Sequence, residues 1–143
     1  MADSKTHFSE LEKLKYPLVN QFYKRVYKKG IAGKNESVFV LRSEQEIICS
    51  AKLKSIDNHL VLTGVACDPF YQHQGYASQL IKQLLAQKQQ PIYCFPYAHL
   101  EHFYLCLGFV FLPLEEAPEE IQIRFTRYQQ HRNLLLMIHK HGE

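Results

Sequence analysis

Leu62-Thr-Gly-Val-Ala-Cys-Asp-Pro-Phe-Tyr-Gln-His-Gln-Gly-Tyr-Ala-Ser78 lies where the hydrophobic period of the chain changes. Before it, His59 to Cys67 reads as an apolar strand. After Pro69 the period becomes three to four, and Ala77, Leu80, Ile81, Leu84 and Leu85 form the stripe of a helix that Pro91 stops at about Gln90. The segment is therefore strand, turn, helix. Gly75 and Ala77 keep the first helical turn free of bulky side chains, so an anion has access to backbone N–H groups that lack intrahelical partners. No Asp or Glu occurs from Gln72 to Lys82, although acids are favoured at helix starts, so a diphosphate would meet no repulsion there. Gly64, inside the apolar strand, reads either as a packing bulge or as a place where another chain or ligand lies close to the backbone.

Upstream, Leu11, Leu14, Leu18, Phe22 and Val26 predict a helical region from Glu10 to Lys29, closed by Gly30, with Pro17 allowing two shorter helices. Ser37 to Arg42 reads as a strand and Ser43 to Gln45 as a turn. Glu46 to Lys54 alternates Ile47, Cys49, Ala51 and Leu53 with mostly polar neighbours, as a half-buried antiparallel strand should. After the turn Asp57-Asn58, the strand His59 to Cys67 completes a meander. Downstream come a short strand Ile92 to Phe95, a short helix marked by Leu100, Phe103, Tyr104 and Leu107 and ended by Gly108, and a strand Phe109 to Leu112. Pro118, Glu119 and Glu120 open a last helix, with Ile121, Phe125 and Tyr128 on its buried face. Asn133 to His139 is a near-continuous apolar strand. This order predicts an α+β, mixed α/β fold in one continuous domain over residues 1–143.

The composition supports a globular chain: 143 residues, net charge +3, 46% hydrophobic and 22% charged, with six Gly and six Pro. No apolar run approaches the roughly 20 residues needed to span a bilayer. The polar start Met1 to Glu10 does not read as a secretion signal. Cys49, Cys67, Cys94 and Cys106 form no C-x-x-C pair and read as buried thiols in a reducing compartment, which points to the cytoplasm. His99 and His102 could share a helical face, but no third ligand completes a metal site. The basic cluster Lys15, Lys24, Arg25, Lys28, Lys29 and Lys34 reads as solvated surface and not as a nucleic-acid interface, and no membrane partner is expected.

The run Val65-Ala-Cys-Asp-Pro69, then Gln72-x-x-Gly75-x-Ala77, then His102-Phe-Tyr104-x-x-x-Gly108-Phe109 resembles the GCN5-related N-acetyltransferase (GNAT) superfamily. The first motif looks like that family's Q/R-x-x-G-x-G/A acyl-CoA loop and the later one like its F-Y-x-x-x-G-F signature. The resemblance covers Val38 to Leu112 well and the two ends only by topology. It implies a central twisted mixed sheet of six or seven strands, about four flanking helices, and a splayed, V-shaped cofactor cleft. Acetyl-CoA would be the cosubstrate, with no metal. The backbone of Val65, Ala66 and Cys67 would pair with the pantetheine arm. Gln72, His73, Gln74, Gly75, Tyr76, Ala77 and Ser78 would hold the diphosphate. Tyr104 would serve as general acid, a role that suits a phenol of pKa about 10 facing a leaving thiolate of pKa near 8.5. A core aromatic beside Phe103 is the alternative reading of Tyr104.

Two departures from the family pattern concern the acceptor. Many relatives carry a glutamate in the strand before the loop, whereas Val61 and Thr63 stand at the matching positions here. A base would then be His59, Asp57, a residue of the first helix, or solvent. Tyr97 replaces an asparagine that often precedes the later motif. Cys67, on a strand lining the cofactor, is expected to be buried and inert. The expected activity is acetyl transfer to a primary amine of a small molecule or protein, by direct attack in a ternary complex, in a monomer or homodimer. The alternative is a catalytically silent acyl-CoA-binding regulatory or interaction module.

Overall fold

The β-branched and aromatic runs form strands, and the segments of period three to four form helices. The computed structural model describes residues 6–27, 32–33 and 35–141. In chain order these form β1 (Thr6–Glu10), α1 (Tyr16–Val26), β2 (Glu36–Ser43), β3 (Glu46–Ile56), β4 (His59–Cys67), α2 (Tyr76–Ala86), β5 (Ile92–Cys94), α3 (Glu101–Cys106), β6 (Val110–Phe111), α4 (Glu119–Gln129) and β7 (Met137–His139), with short 3-10 turns between some of them. The seven strands are hydrogen-bonded in the order β1-β2-β3-β4-β5-β7-β6. The sheet is mixed: β4 and β5 are parallel, while β1 with β2, β5 with β7, and β6 with β7 are antiparallel. This is the α+β architecture read from the sequence, with seven strands and four α-helices among the described residues.

Contacts group the chain into two compact units, one from Met1–Leu53 with Gly64–Gln87 and the other from Lys54–Thr63 with Lys88–Glu143. In the first unit, Val19, Phe22 and Tyr23 of α1 pack with Leu11, Val38, Val40 and Ala66. Leu80, Ile81, Leu84 and Leu85 of α2 are buried as their spacing requires, each contributing roughly 1.5–3 kcal/mol of hydrophobic stabilisation. In the second unit, Ile56, Val61, Tyr93, Ile121, Phe125 and Ile138 form the core, with Phe95 edge-on to Phe125. The Asp57-Asn58 turn has φ of 49° and 68°, the left-handed pair that suits a tight hairpin.

Several boundaries differ from the sequence reading, each for a physical reason. The first helix starts at Tyr16, not Glu10, because Pro17 fits only a first turn. Glu10 instead ends β1, which pairs with β2 over Thr6↔Ser43 to Glu10↔Phe39. The stripe is displaced accordingly: Leu14 and Leu18 are exposed, and the buried face is Val19, Phe22 and Tyr23. The expected end of that helix at Lys29 and Gly30, and the basic residues Lys28, Lys29 and Lys34, lie outside the described residues. β3 is buried from Ile48 to Leu53, including Ser50 and Lys52, so it is covered on both faces and not half-buried. α2 ends at Ala86, four residues before the predicted stop. Only Met137–His139 of the last apolar run forms a strand, preceded by a single bridge from Leu134 to Tyr97.

Candidate active site

Gly64 has φ +60° inside β4, the left-handed backbone that makes a glycine bulge. A side chain could not replace it freely, because a Cβ there would stand 2.5 Å from Lys52 Cε and 3.3 Å from the Tyr23 hydroxyl. Tyr23 donates to the Gly64 carbonyl at 2.6 Å and lies 3.0 Å from Ser50 Oγ, which in turn donates to the Phe39 carbonyl. Burial pushes the Tyr23 phenol well above its usual pKa, so it acts as a hydrogen-bond donor and not as a base. Lys52, only 4% exposed, has its ammonium 3.4 Å from Glu36 Oε1 and 5.3 Å from the centre of the Tyr23 ring. Tyr23, Ser50, Lys52 and Glu36 thus form a buried polar network beneath the bulge. The sequence reading missed it, since the hydrophobic stripe of the first helix did not include Tyr23 and Lys52 fell on the polar side of an alternating strand. The signal available was Gly64 itself, whose missing side chain leaves a space that a neighbour must fill.

Past the bulge, Val65 and Cys67 are half-buried and Ala66 is buried. The Asp68 N–H bonds the Ile48 carbonyl at 2.8 Å, tying the end of β4 to β3. Asp68 then caps a 3-10 turn, Pro69–Tyr71, by accepting from the Phe70 N–H, and pairs with Arg25 at 2.7 Å. The Arg25 guanidinium, as the main cause, holds the Asp68 carboxyl below its usual pKa. Gln72 donates through its side-chain amide to the Cys67 carbonyl and Gln74 to the Phe70 carbonyl, so the loop is braced by its own glutamines. His73 at φ 64° and Gly75 at φ 88° are left-handed on either side of Gln74, the alternation that gathers successive N–H groups into an anion-binding concavity. Residues 72–75 are exposed, and Tyr76, Ala77 and Ser78 open α2 with no acid in the first turn. Nothing stands within 4 Å of a Cβ built on Gly75. The strand end and loop expected to bind cofactor are therefore contiguous, and their N–H donors and open approach fit a diphosphate.

In the second unit, Tyr104 lies on α3 and is 4% exposed. Its ring meets Phe103 and Phe109 edge-on, at centroid distances of 5.0 and 5.6 Å, and its hydroxyl hydrogen-bonds the Cys94 thiol. Burial outweighs that bond and pushes the Cys94 thiol up to about 12. His59, one of the alternative bases, stacks edge-on against Tyr93.

The cysteines differ from the expectation of four inert buried thiols. All four are free, but Cys106 is exposed, with Sγ 3.4 Å from His102 Nε2, and Cys67 is half-buried. The Cys49 thiol donates to Cys67 Sγ at 2.9 Å, which draws the Cys67 thiol below its usual pKa and pushes the Cys49 thiol well above it. His99 stacks on Tyr97, and among the described residues no three metal-ligating side chains cluster. No described helix is long and apolar enough to cross a membrane.

Residues 34–111, more than half of the chain, match the sequence profile described as the acetyltransferase (GNAT) domain. No curated protein matches. Among solved structures, the ribosomal-protein-S18-alanine N-acetyltransferase from Escherichia coli superposes with a TM-score of 0.70 at 17% identity, covering 94% of this chain and 93% of that one. ElaA of Escherichia coli gives 0.70 at 16% identity, over 95% and 100%. N-acetylglutamate synthase from Neisseria gonorrhoeae, complexed with coenzyme A and N-acetyl-glutamate, gives 0.74 at 11% identity. It matches 99% of this chain but only 36% of its own length. At these identities the likeness is one of fold.

Proposed function

Because the chain belongs to the acetyltransferase (GNAT) family, we propose that it moves an acetyl group from acetyl-CoA to a primary amine of a small molecule or protein. The observation that carries this reading is the continuity from the Gly64 bulge through Val65–Cys67 to the acid-free, glycine-capped start of α2. Val65, Ala66 and Cys67 would offer backbone groups to the amides of the pantetheine arm. The N–H groups from His73 to Ser78 would take the diphosphate, whereas the Gln72 N–H, expected to join them, is held by the Pro69 carbonyl. Acetyl-CoA supplies the acetyl group already activated as a thioester.

The amine attacks the carbonyl carbon directly as the C–S bond breaks, so no side chain is acylated. Tyr104 holds the proton that the leaving sulfur takes up. With no carboxylate in His59 to Val65, the amine's own proton leaves to His59, Asp57, a residue of the first helix or solvent. The raised pKa of Tyr23 removes that first-helix residue from the list of bases.

Thiol release from acetyl-CoA against a panel of amines tests the reading, with Tyr104→Phe as the decisive variant. Phenylalanine keeps the ring packing on Phe103 and Phe109 and removes only the hydroxyl. We expect kcat to fall about 10²-fold while the Kd for acetyl-CoA changes less than about twofold. Tight binding of acetyl-CoA with no turnover of any amine would establish the silent binding module instead. Failure of acetyl-CoA to raise the melting temperature would sink both.

A further inference from the structure

Two thiols the proposed chemistry does not use face one another at the foot of the candidate cofactor loop. Cys49 is fully buried in β3. Cys67 ends β4 and is half-buried, its own carbonyl held by Gln72. The Asp68 N–H to Ile48 carbonyl bond sets the two cysteines side by side across neighbouring strands, and their sulfurs stand 2.9 Å apart. A disulfide needs about 2.05 Å, so closure is a movement of about 0.9 Å. We infer that Cys49 and Cys67 form a dithiol site that reacts with low-molecular-weight disulfides by thiol–disulfide exchange.

The order of events follows from exposure. Cys67, the reachable thiol, loses its proton to solvent and as the thiolate attacks one sulfur of RS–SR, giving a mixed disulfide and releasing RS⁻. The Cys49 thiol gives its proton to that released thiolate and attacks Cys67 Sγ, closing Cys49–Cys67 and releasing a second RS⁻, which takes back from solvent the proton Cys67 gave up. Two cysteines are oxidised, and one external disulfide is reduced to two RSH. The hydrogen bond from Cys49 supports Cys67 as the attacking group, because it stabilises the Cys67 thiolate. Cys94 is buried away from solvent and takes no part. Cys106 is exposed and would form a mixed disulfide with no described partner thiol to resolve it.

The test is oxidised glutathione added to the full chain carrying Cys106→Ser, read by thiol titration and intact mass. Two thiols should disappear, the mass should fall by two hydrogens, and peptide mapping should join the segments containing Cys49 and Cys67, all reversed by dithiothreitol. Cys49→Ser should stop at a glutathione adduct on Cys67, and Cys67→Ser should not react. If Cys49→Ser folds poorly, Cys49→Ala serves the same purpose. A stable adduct on Cys67 in the chain retaining Cys49, or no reaction at all, overturns the inference. Desulfo-coenzyme A, which carries no thiol, gives an arm that rests on the cofactor assignment above. It should slow the exchange by covering Cys67. Closure that proceeds at the same rate with saturating desulfo-coenzyme A upholds the dithiol site and removes the cofactor from Val65–Cys67.

Discussion

Two glycines with similar backbone angles make opposite demands on their surroundings. At Gly75, φ is 88° and a Cβ would enter open space, so Gly75→Ala should cost only left-handed backbone strain, about 1–2 kcal/mol. At Gly64, the same strain is joined by a 2.5 Å approach to Lys52 Cε, the carbon that carries an ammonium held in place by burial and by its pairing with Glu36. Gly64→Ala should therefore destabilise clearly more than Gly75→Ala in urea unfolding. Equal losses would mean that Lys52 yields freely. Tyr23→Phe probes the same place from the helix side. It removes one hydroxyl and leaves the partly buried Gly64 carbonyl without its 2.6 Å donor, a loss of about 1–3 kcal/mol. An unchanged unfolding midpoint would show that the bulge does not depend on that bond.

The elements were legible in the sequence wherever one residue type forces the backbone. β4 runs from His59 to Cys67 as predicted, because the Asp57-Asn58 turn and Asp68-Pro69 bound it on both sides. Gly64 and Gly75 announced the bulge and the loop, since glycine is itself the signal. The start of α1 was misplaced because hydrophobic spacing ran through Pro17, and only pairing with β2 reveals that Thr6–Glu10 is a strand. β3 was misread for the opposite reason. Its alternation is real, but Lys52 and Ser50 are polar residues kept inside by partners far away in sequence, Glu36, Tyr23 and Phe39. Local pattern cannot show a partner. This makes β3 the element on which a charge test is sharpest. Glu36→Gln removes the carboxylate beside a lysine that is almost fully buried, and should cost about 3 kcal/mol. Adding Lys52→Met should recover most of that loss, because a nonpolar side chain of similar length needs no counter-charge. A double variant no more stable than Glu36→Gln would show that Lys52 contributes through contacts other than its charge.

Acid should destabilise the molecule in two stages, one from each compact unit. His139, in the unit that ends the chain, lies against Phe109 and His141, and its Nδ1 has no hydrogen-bond partner. Burial, then the neighbouring His141, lowers its pKa from 6.5. A histidine with a depressed folded pKa binds fewer protons folded than unfolded. Its contribution is therefore complete above about pH 6.5 and is lost as pH falls through the lower folded value. Asp68, in the other unit, is lowered from 3.8 chiefly by Arg25, whose own side chain is largely exposed, so a solvent-screened contribution persists to about pH 4 and disappears only below it. The chain passes between the units three times, inside β3 after Leu53, inside β4 after Thr63, and after Gln87, and the first two crossings mean that neither unit can unfold without giving up part of a strand. Chemical unfolding measured from pH 8 to pH 3 should show stability level above pH 7, a decline beginning just below 6.5, and a further decline below 4. His139→Phe, which keeps a ring against Phe109 and carries no proton, should flatten the first decline and leave the second. Asp68→Asn should do the reverse. If His139→Phe declines with pH as the parent does, the proton is being taken up elsewhere and His139 is not the group that senses mild acid.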